Sequence, residues 1–148
     1  MKKINKGLSP IWFENWKAQF EVNNGRKPRY KNDFSTNDSF GAQRRYDLKK
    51  SLIEEQGGIC CYCMGRIHES ITHIEHFWPK GISKFAHLDL DYKNLFASCE
   101  GKWVSFPSAN LLDTSDEHCG HKKEDWYDDN MIIPTDSRIE DIFTYLDN

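Results

Sequence analysis

No stretch of this 148-residue sequence is apolar over the roughly 20 residues a helix needs to cross a bilayer, so no helical membrane span is expected. The N-terminus, "MKKINKGLSP", carries a basic cluster but lacks the hydrophobic segment that follows it in a secretory signal. The cytoplasm is therefore the expected compartment. Internal repeats and low-complexity tracts are missing too. Only 38% of residues are hydrophobic, yet five Trp, nine Phe and six Tyr supply large apolar area and argue against a disordered chain. A single domain of this length buries about 70% of its unfolded surface, enough for a real core.

The net charge of −3 is unevenly spread. Residues 1–60 carry 12 Lys or Arg against 7 Asp or Glu, and residues 61–148 carry 8 against 16. Such asymmetry permits a basic surface for phosphates on one side of the molecule, although solvated helix faces account for it equally well.

In "SPIWFENWKAQF", Ser9 is placed to cap a helix and Pro10 to open its first turn, after which Phe13, Trp16 and Phe20 recur at helical spacing. "NNG" at 23–25 ends it. The stripe with Trp12, Trp16 and Phe20 reads as core, with a docking face as the alternative. "GRKPRYKNDFSTND", the most basic segment, reads as a connection. A second helix is expected from about Ser39 to Gln56, with Leu48, Leu52 and Ile53 on one face and Gly57-Gly58 for a left-handed end. Its Arg44, Arg45, Lys49 and Lys50 fall largely off the apolar stripe, where they serve solubility or contact phosphate. The tail "IIPTDSRIEDIFTYLDN" reads as a strand, a turn and a second strand, stopping at Asp147-Asn148 as in a truncated chain or fragment.

From Ile59 onward the texture is that of a small metal-organised unit. Cys60 and Cys63 form C-x-x-C with Gly65 just beyond, a knuckle in which two thiolates converge on one ion. A tetrahedral zinc needs two more soft ligands, and Cys99 and Cys119 supply the count. Five cysteines cannot all pair internally, and in a reducing compartment clustered thiols more often hold metal than disulfides. Cys61 is left as packing or a reserve thiol, because a one-residue gap makes it hard to aim two thiolates at one ion.

Between the cysteine pairs lie "HIEHFWPKG", "YKNLFASCEG" and "CGHKK". The order of His76, Asn94 and His121 within this cysteine frame resembles the HNH endonucleases over about residues 59–126. More narrowly, with "GGICCYCMGRI" added, it is similar to the PtuB-like HNH nuclease subunit of Septu-type and retron-associated phage-defence systems. The resemblance implies an α+β chain in three parts. Residues 1–58 are an N-terminal helical region packing on the nuclease unit, 59–126 a zinc-knuckle, treble-clef-like ββα-metal HNH unit, and 127–148 a C-terminal strand and turn segment. It also implies a DNA-cleaving metal-dependent nuclease working with an ATPase of the ABC/SMC type, and no membrane partner.

Hydrolysing a phosphodiester requires a base for water, a divalent cation to offset developing charge, and donors that hold the phosphate. His76 is the best base, an imidazole of ordinary pKa near 6.5, and it matches the first H of HNH. By the family's pattern Glu75 and His121 hold the catalytic cation, Mg²⁺ or Mn²⁺, and Asn94 fixes the loop between strand and helix. His73 contacts nucleic acid, orients the site, or is an ordinary satisfied histidine. Lys80, Lys122 and Lys123 contact phosphate or are ordinary exposed lysines.

Compact HNH modules usually bring their last two cysteines as C-x-x-C, whereas "EGKWVSFPSANLLDTSDEH" separates Cys99 from Cys119 here. Loop-closure cost grows slowly with length, so the insertion is physically acceptable, but His118 or His121 stands as an alternative fourth zinc ligand. Two functional alternatives stay open: an RNA-cleaving effector, with the basic segment Arg26–Lys31 as substrate contact in either case, and a non-catalytic zinc module that binds nucleic acid or protein.

Overall fold

A computed structural model of the chain describes residues 1–101 and 118–142. Helices α1 (Ile11–Asn24) and α2 (Ser39–Glu55) precede a two-stranded antiparallel sheet, β1 (Thr72–His76) and β2 (Leu95–Cys99). Two short helices, α3 (Cys119–Lys123) and α4 (Ile139–Ile142), follow it. The chain is thus a mixed α+β protein, and among the described residues no helix is long and apolar enough to cross a membrane.

Helix α1 ends as its sequence dictates: Gly25 adopts φ 65° and its N–H returns to the Glu21 carbonyl at 2.8 Å. Its start differs from expectation. Pro10, not Ser9, occupies the cap position, its carbonyl accepting from the Phe13 and Glu14 amides at 2.9 and 3.2 Å, and no side chain caps the helix. Helix α2 begins where Asp38 Oδ1 accepts the Gly41 amide at 2.6 Å. It buries Leu48, Leu52 and Ile53, and Gly57 and Gly58 close it at φ 68° and 71°.

The segment read as a plain connection is more ordered than that. Tyr30–Phe34 forms one wide helical turn, and both aromatic ends of it are buried in the core. Arg44 and Arg45 of α2 hold this turn in place, which is neither of the roles expected for them, while Lys50 stays exposed beside Glu54 as a solubilising lysine does. Arg44 donates to the Phe34 and Asp33 carbonyls at 3.0 and 2.9 Å, and Arg45 to the Thr36 carbonyl at 2.7 Å. Lys49 reaches the Glu69 and Thr72 carbonyls at 2.6 and 2.9 Å, tying α2 to the entry of β1. Long cationic side chains beside an apolar stripe have the reach to satisfy turn carbonyls that no strand or helix pairs.

The sheet register pairs Thr72 with Cys99, Ile74 with Ala97 and His76 with Leu95 on one face, and His73 with Ser98 and Glu75 with Phe96 on the other. Leu95 and Ala97 enter a core with Phe13, Phe34, Leu48 and Leu52, which joins both helices to the sheet across residue 58. Trp12 and Trp16, half-buried, pack against it, whereas Phe20 touches Trp16 from outside the cluster. Phe96, on the opposite face, packs with Ile4, Cys61 and Phe77.

The expected C-terminal strands do not form among the described residues. Residues 127–138 run through successive turns and lead into α4; residues 143–148, where the second strand was expected, lie outside the described residues. The Asp136 carboxylate accepts the Arg138 amide at 2.8 Å, and this local turn competes with an extended chain. The tail is held by the N-terminus instead, with the Ile4 amide on the Pro134 carbonyl at 2.8 Å and the Lys3 amide on Glu140 at 2.9 Å.

Candidate functional site

Four sulfurs come together from three places in the chain. Cys60 and Cys63 flank a tight turn in which the Cys60 amide donates to the Gly65 carbonyl at 2.9 Å and Met64 takes a left-handed φ of 62°. Cys99 closes β2 and Cys119 opens α3. Their sulfurs all lie within 4.8 Å of one another, with Cys63 and Cys99 at 3.9 Å. Four thiolates around one zinc stand about 3.8 Å apart, given Zn–S bonds near 2.3 Å. The cluster can therefore hold a metal ion. Backbone amides already point at the sulfurs, Tyr62 and Cys99 at Cys60 (3.5 and 3.4 Å) and Gly65 at Cys63 (3.4 Å), as anionic thiolates require. Cys61 is not one of the four and is buried in the Phe77–Phe96 core.

The thiol electrostatics favour a shared cation. Hydrogen bonds from Cys119 and Cys61 hold the Cys60 thiol far below its ordinary range. Burial pushes Cys99 up to about 11, and the bond to Cys60 together with burial drives Cys119 higher still. A bound dication would favour the anionic form of these thiols. His118 Nδ1 stands beside the group, 3.1 Å from Cys119 and 3.7 Å from Cys99.

A second cluster lies on the β1 face that carries His73 and Glu75, against which α3 packs. Donor atoms of His73, Glu100 and His121 all lie within 4.8 Å of one another. His121 Nε2 is 3.0 Å from Glu100 Oε2, and the two imidazoles meet edge to face at 4.7 Å. Gly120 permits this approach: a Cβ there would collide with His73 Nε2 and come within 2.7 Å of Glu75 Oε2. Its amide also anchors α3 to the sheet through Ser98 Oγ at 3.2 Å.

Glu75 is buried next to this group and already engaged. Its Oε1 accepts from Tyr62 at 2.9 Å and pairs with the Lys123 ammonium at 3.1 Å, while Oε2 lies 3.5 Å from His73 Nε2. Burial disfavours its charge, but His73, Lys123 and Tyr62 outweigh that and keep its pKa below the usual glutamate value. Lys123, expected among the phosphate-contacting or exposed lysines, is only 9% exposed, and its ammonium also donates to the His76 carbonyl at 3.2 Å. Its charge is spent inside the protein.

His76 projects from the other face of β1. It is buried edge-on against Tyr30 at 4.5 Å, and its Nε2 meets the Asp89 carbonyl at 3.0 Å. A carbonyl only accepts, so Nε2 carries the proton and Nδ1 keeps its lone pair. Burial, aided by the Lys80 ammonium, lowers the pKa of His76 to about 3, so the ring is neutral at pH 7. A cleft of about 470 Å³ runs along β1, lined by His73, Glu75, His76, Lys80 and His121. A smaller one of about 350 Å³, which shares Lys80 and Asp125, continues toward Arg29 and Lys31 of the basic segment. Within that segment Arg26 is paired with Asp33 and Arg29 with Asp89, both at 2.8–2.9 Å.

Asn94 fastens the connection from β1 to β2. It accepts from the Trp78 amide at 2.8 Å and donates to the Trp78 and Leu88 carbonyls at 3.0 and 3.1 Å. Lys122 lines a separate, largely apolar hollow with Tyr62, Cys63 and Trp126. Sequence reasoning missed Glu100 and Asp89. Glu100 had a signal, since it directly follows Cys99 and any ion held there fixes its backbone. Asp89 had none, because it acts on His76 through its carbonyl. Residues 102–117, most of the insertion between Cys99 and Cys119, lie outside the described residues.

The chain matches no protein-family model, no curated protein and no solved structure.

Proposed function

We propose that this protein is a metal-dependent endonuclease of the HNH type, in which His76 activates water against a phosphodiester and a divalent cation held beside His121 offsets the charge that develops. One observation carries the reading: a neutral imidazole with a fixed tautomer shares a single cleft with a histidine- and carboxylate-rich cluster, and a four-cysteine frame anchors two of the strands and helices around it. A zinc module that only binds needs four ligands and has no use for the second cluster.

In this reading zinc occupies Cys60, Cys63, Cys99 and Cys119 and sets the ββα arrangement, while Asn94 holds the intervening loop. The catalytic ion, when bound, supplies Lewis-acid stabilisation of the phosphate and leaving oxygen. His76 Nδ1 takes the proton from water. Its low pKa makes it a weak base in the free protein, and a phosphate anion bound beside it raises that pKa by favouring imidazolium. Lys80, at the junction of the two clefts, is placed to contact the backbone of the substrate, and Lys31 to extend that contact. DNA is the substrate implied by the phage-defence resemblance, together with an ATPase partner.

His76→Ala is expected to retain zinc and fold but to lose at least 100-fold of plasmid cleavage with Mn²⁺ or Mg²⁺, a general base being worth about 10²–10⁴. Cleavage at the wild-type rate would reject the assignment. A parallel incubation with RNA decides the polymer.

A further inference from the structure

We propose that His73, Glu100 and His121 are themselves the ligands of a second divalent-metal site, one that prefers a first-row transition ion such as Mn²⁺ to Mg²⁺, and that Glu75 positions His73 rather than binding the ion. What the ion does rests on the nuclease reading; whether it binds does not.

The donor spacing suits one ion. Two donors each about 2.1 Å from a metal are about 3.0–3.4 Å apart, and His121 Nε2 and Glu100 Oε2 are separated by 3.0 Å. All three residues sit on anchored backbone. His73 is in β1, Glu100 follows the ligand Cys99 with its amide on the Ile71 carbonyl at 3.0 Å, and His121 is two residues after Cys119. The cysteine frame thus sets the position of two of the three. His73 Nδ1 is buried without a hydrogen-bond partner among the described residues, the kind of orphaned atom that a bound ion or water accounts for. On the solvent side, the His121 and Glu100 side chains are 41% and 44% exposed, leaving coordination positions open for water and phosphate.

Glu75 is the wrong carboxylate for a ligand. A lysine ammonium stands 3.1 Å from its Oε1, where it repels a dication, and Tyr62 occupies the same oxygen. Its other oxygen faces His73 Nε2 at 3.5 Å, the arrangement by which a carboxylate orients a ligand imidazole. Two imidazoles and one carboxylate select borderline transition ions, whereas Mg²⁺ keeps to oxygen donors and water.

The test uses the full chain carrying one zinc in its cysteine cluster, titrated with Mn²⁺ and followed by the electron paramagnetic resonance signal of free Mn²⁺. One Mn²⁺ per chain is expected, not displaced by a 100-fold excess of Mg²⁺. Glu100→Gln, at an exposed position, and His73→Gln should each weaken binding at least tenfold with the zinc content unchanged, and Glu75→Gln should weaken it less. Absence of Mn²⁺ binding, or loss in Glu75→Gln with none in Glu100→Gln, overturns the proposal. A chain that binds Mn²⁺ in this pattern but cuts no nucleic acid keeps the site and refutes the nuclease; one that cuts through His76 while Glu100→Gln binds Mn²⁺ normally does the reverse.

Discussion

Glu75 and His76 are sequence neighbours that face opposite sides of β1: Glu75 pairs with the buried Lys123 ammonium at 3.1 Å, and His76 meets the Asp89 carbonyl at 3.0 Å. Strand alternation imposes this separation. Glu75 shares its face with α3 and the His73–Glu100–His121 group, and His76 shares its own with Tyr30 and Leu95. Both residues nonetheless line the cleft that runs along β1.

Removing Lys123 should expose how costly that buried carboxylate is. Lys123→Met leaves Glu75 buried without its cation and is expected to destabilise the fold by about 3–5 kcal/mol, the usual penalty for breaking a buried pair. Adding Glu75→Gln should restore a large part of the loss, measured by urea denaturation of the three variants.

The cysteine cluster should govern folding. A structural zinc contributes on the order of 10 kcal/mol, so chelation or Cys99→Ser is expected to abolish cooperative unfolding along with the bound metal. Cys61→Ala should keep one zinc per chain and lose only about 1–2 kcal/mol of packing. Metal analysis beside thermal melts separates the two behaviours, and loss of zinc from Cys61→Ala would be the contrary result.

Asn94 makes three hydrogen bonds to the ends of one loop. Asn94→Ala removes the partners of half-buried backbone groups at Trp78 and Leu88 and is expected to cost about 1–2 kcal/mol. Faster hydrogen exchange at the Trp78 amide would report the opening directly, while the zinc content should not change.

Asp33 supplies a pH test away from either metal cluster. The Arg26 guanidinium and the Arg29 amide hold its carboxyl below the ordinary value of 3.8, against the opposing effect of burial. An acid with a depressed folded pKa stabilises the protein above its unfolded pKa, and that stabilisation is lost as pH falls through the folded value. Asp33→Asn should therefore cost about 1 kcal/mol at pH 7, and the gap between variant and wild type should narrow below about pH 4. A gap that stays constant down to pH 3 would show that its charge is not what matters.

The sequence by itself determined the elements whose signals are local. Helix α2 with its Gly57-Gly58 end, the glycine stop of α1 and the four cysteines set apart from Cys61 all follow from periodicity, backbone freedom and ligand count. Other outcomes depended on contacts between segments far apart in the chain. Tyr30 and Phe34 became core because Arg44 and Arg45 hold their turn against α2, and the tail folded onto Ile4 and Lys3 instead of forming strands. Packing of α3 on the sheet buried the Lys123 charge and joined Glu100 to His73 and His121. Only tertiary structure decides such matters, because burial and the pairing of polar groups depend on which surfaces meet, and no local periodicity in the chain encodes that meeting.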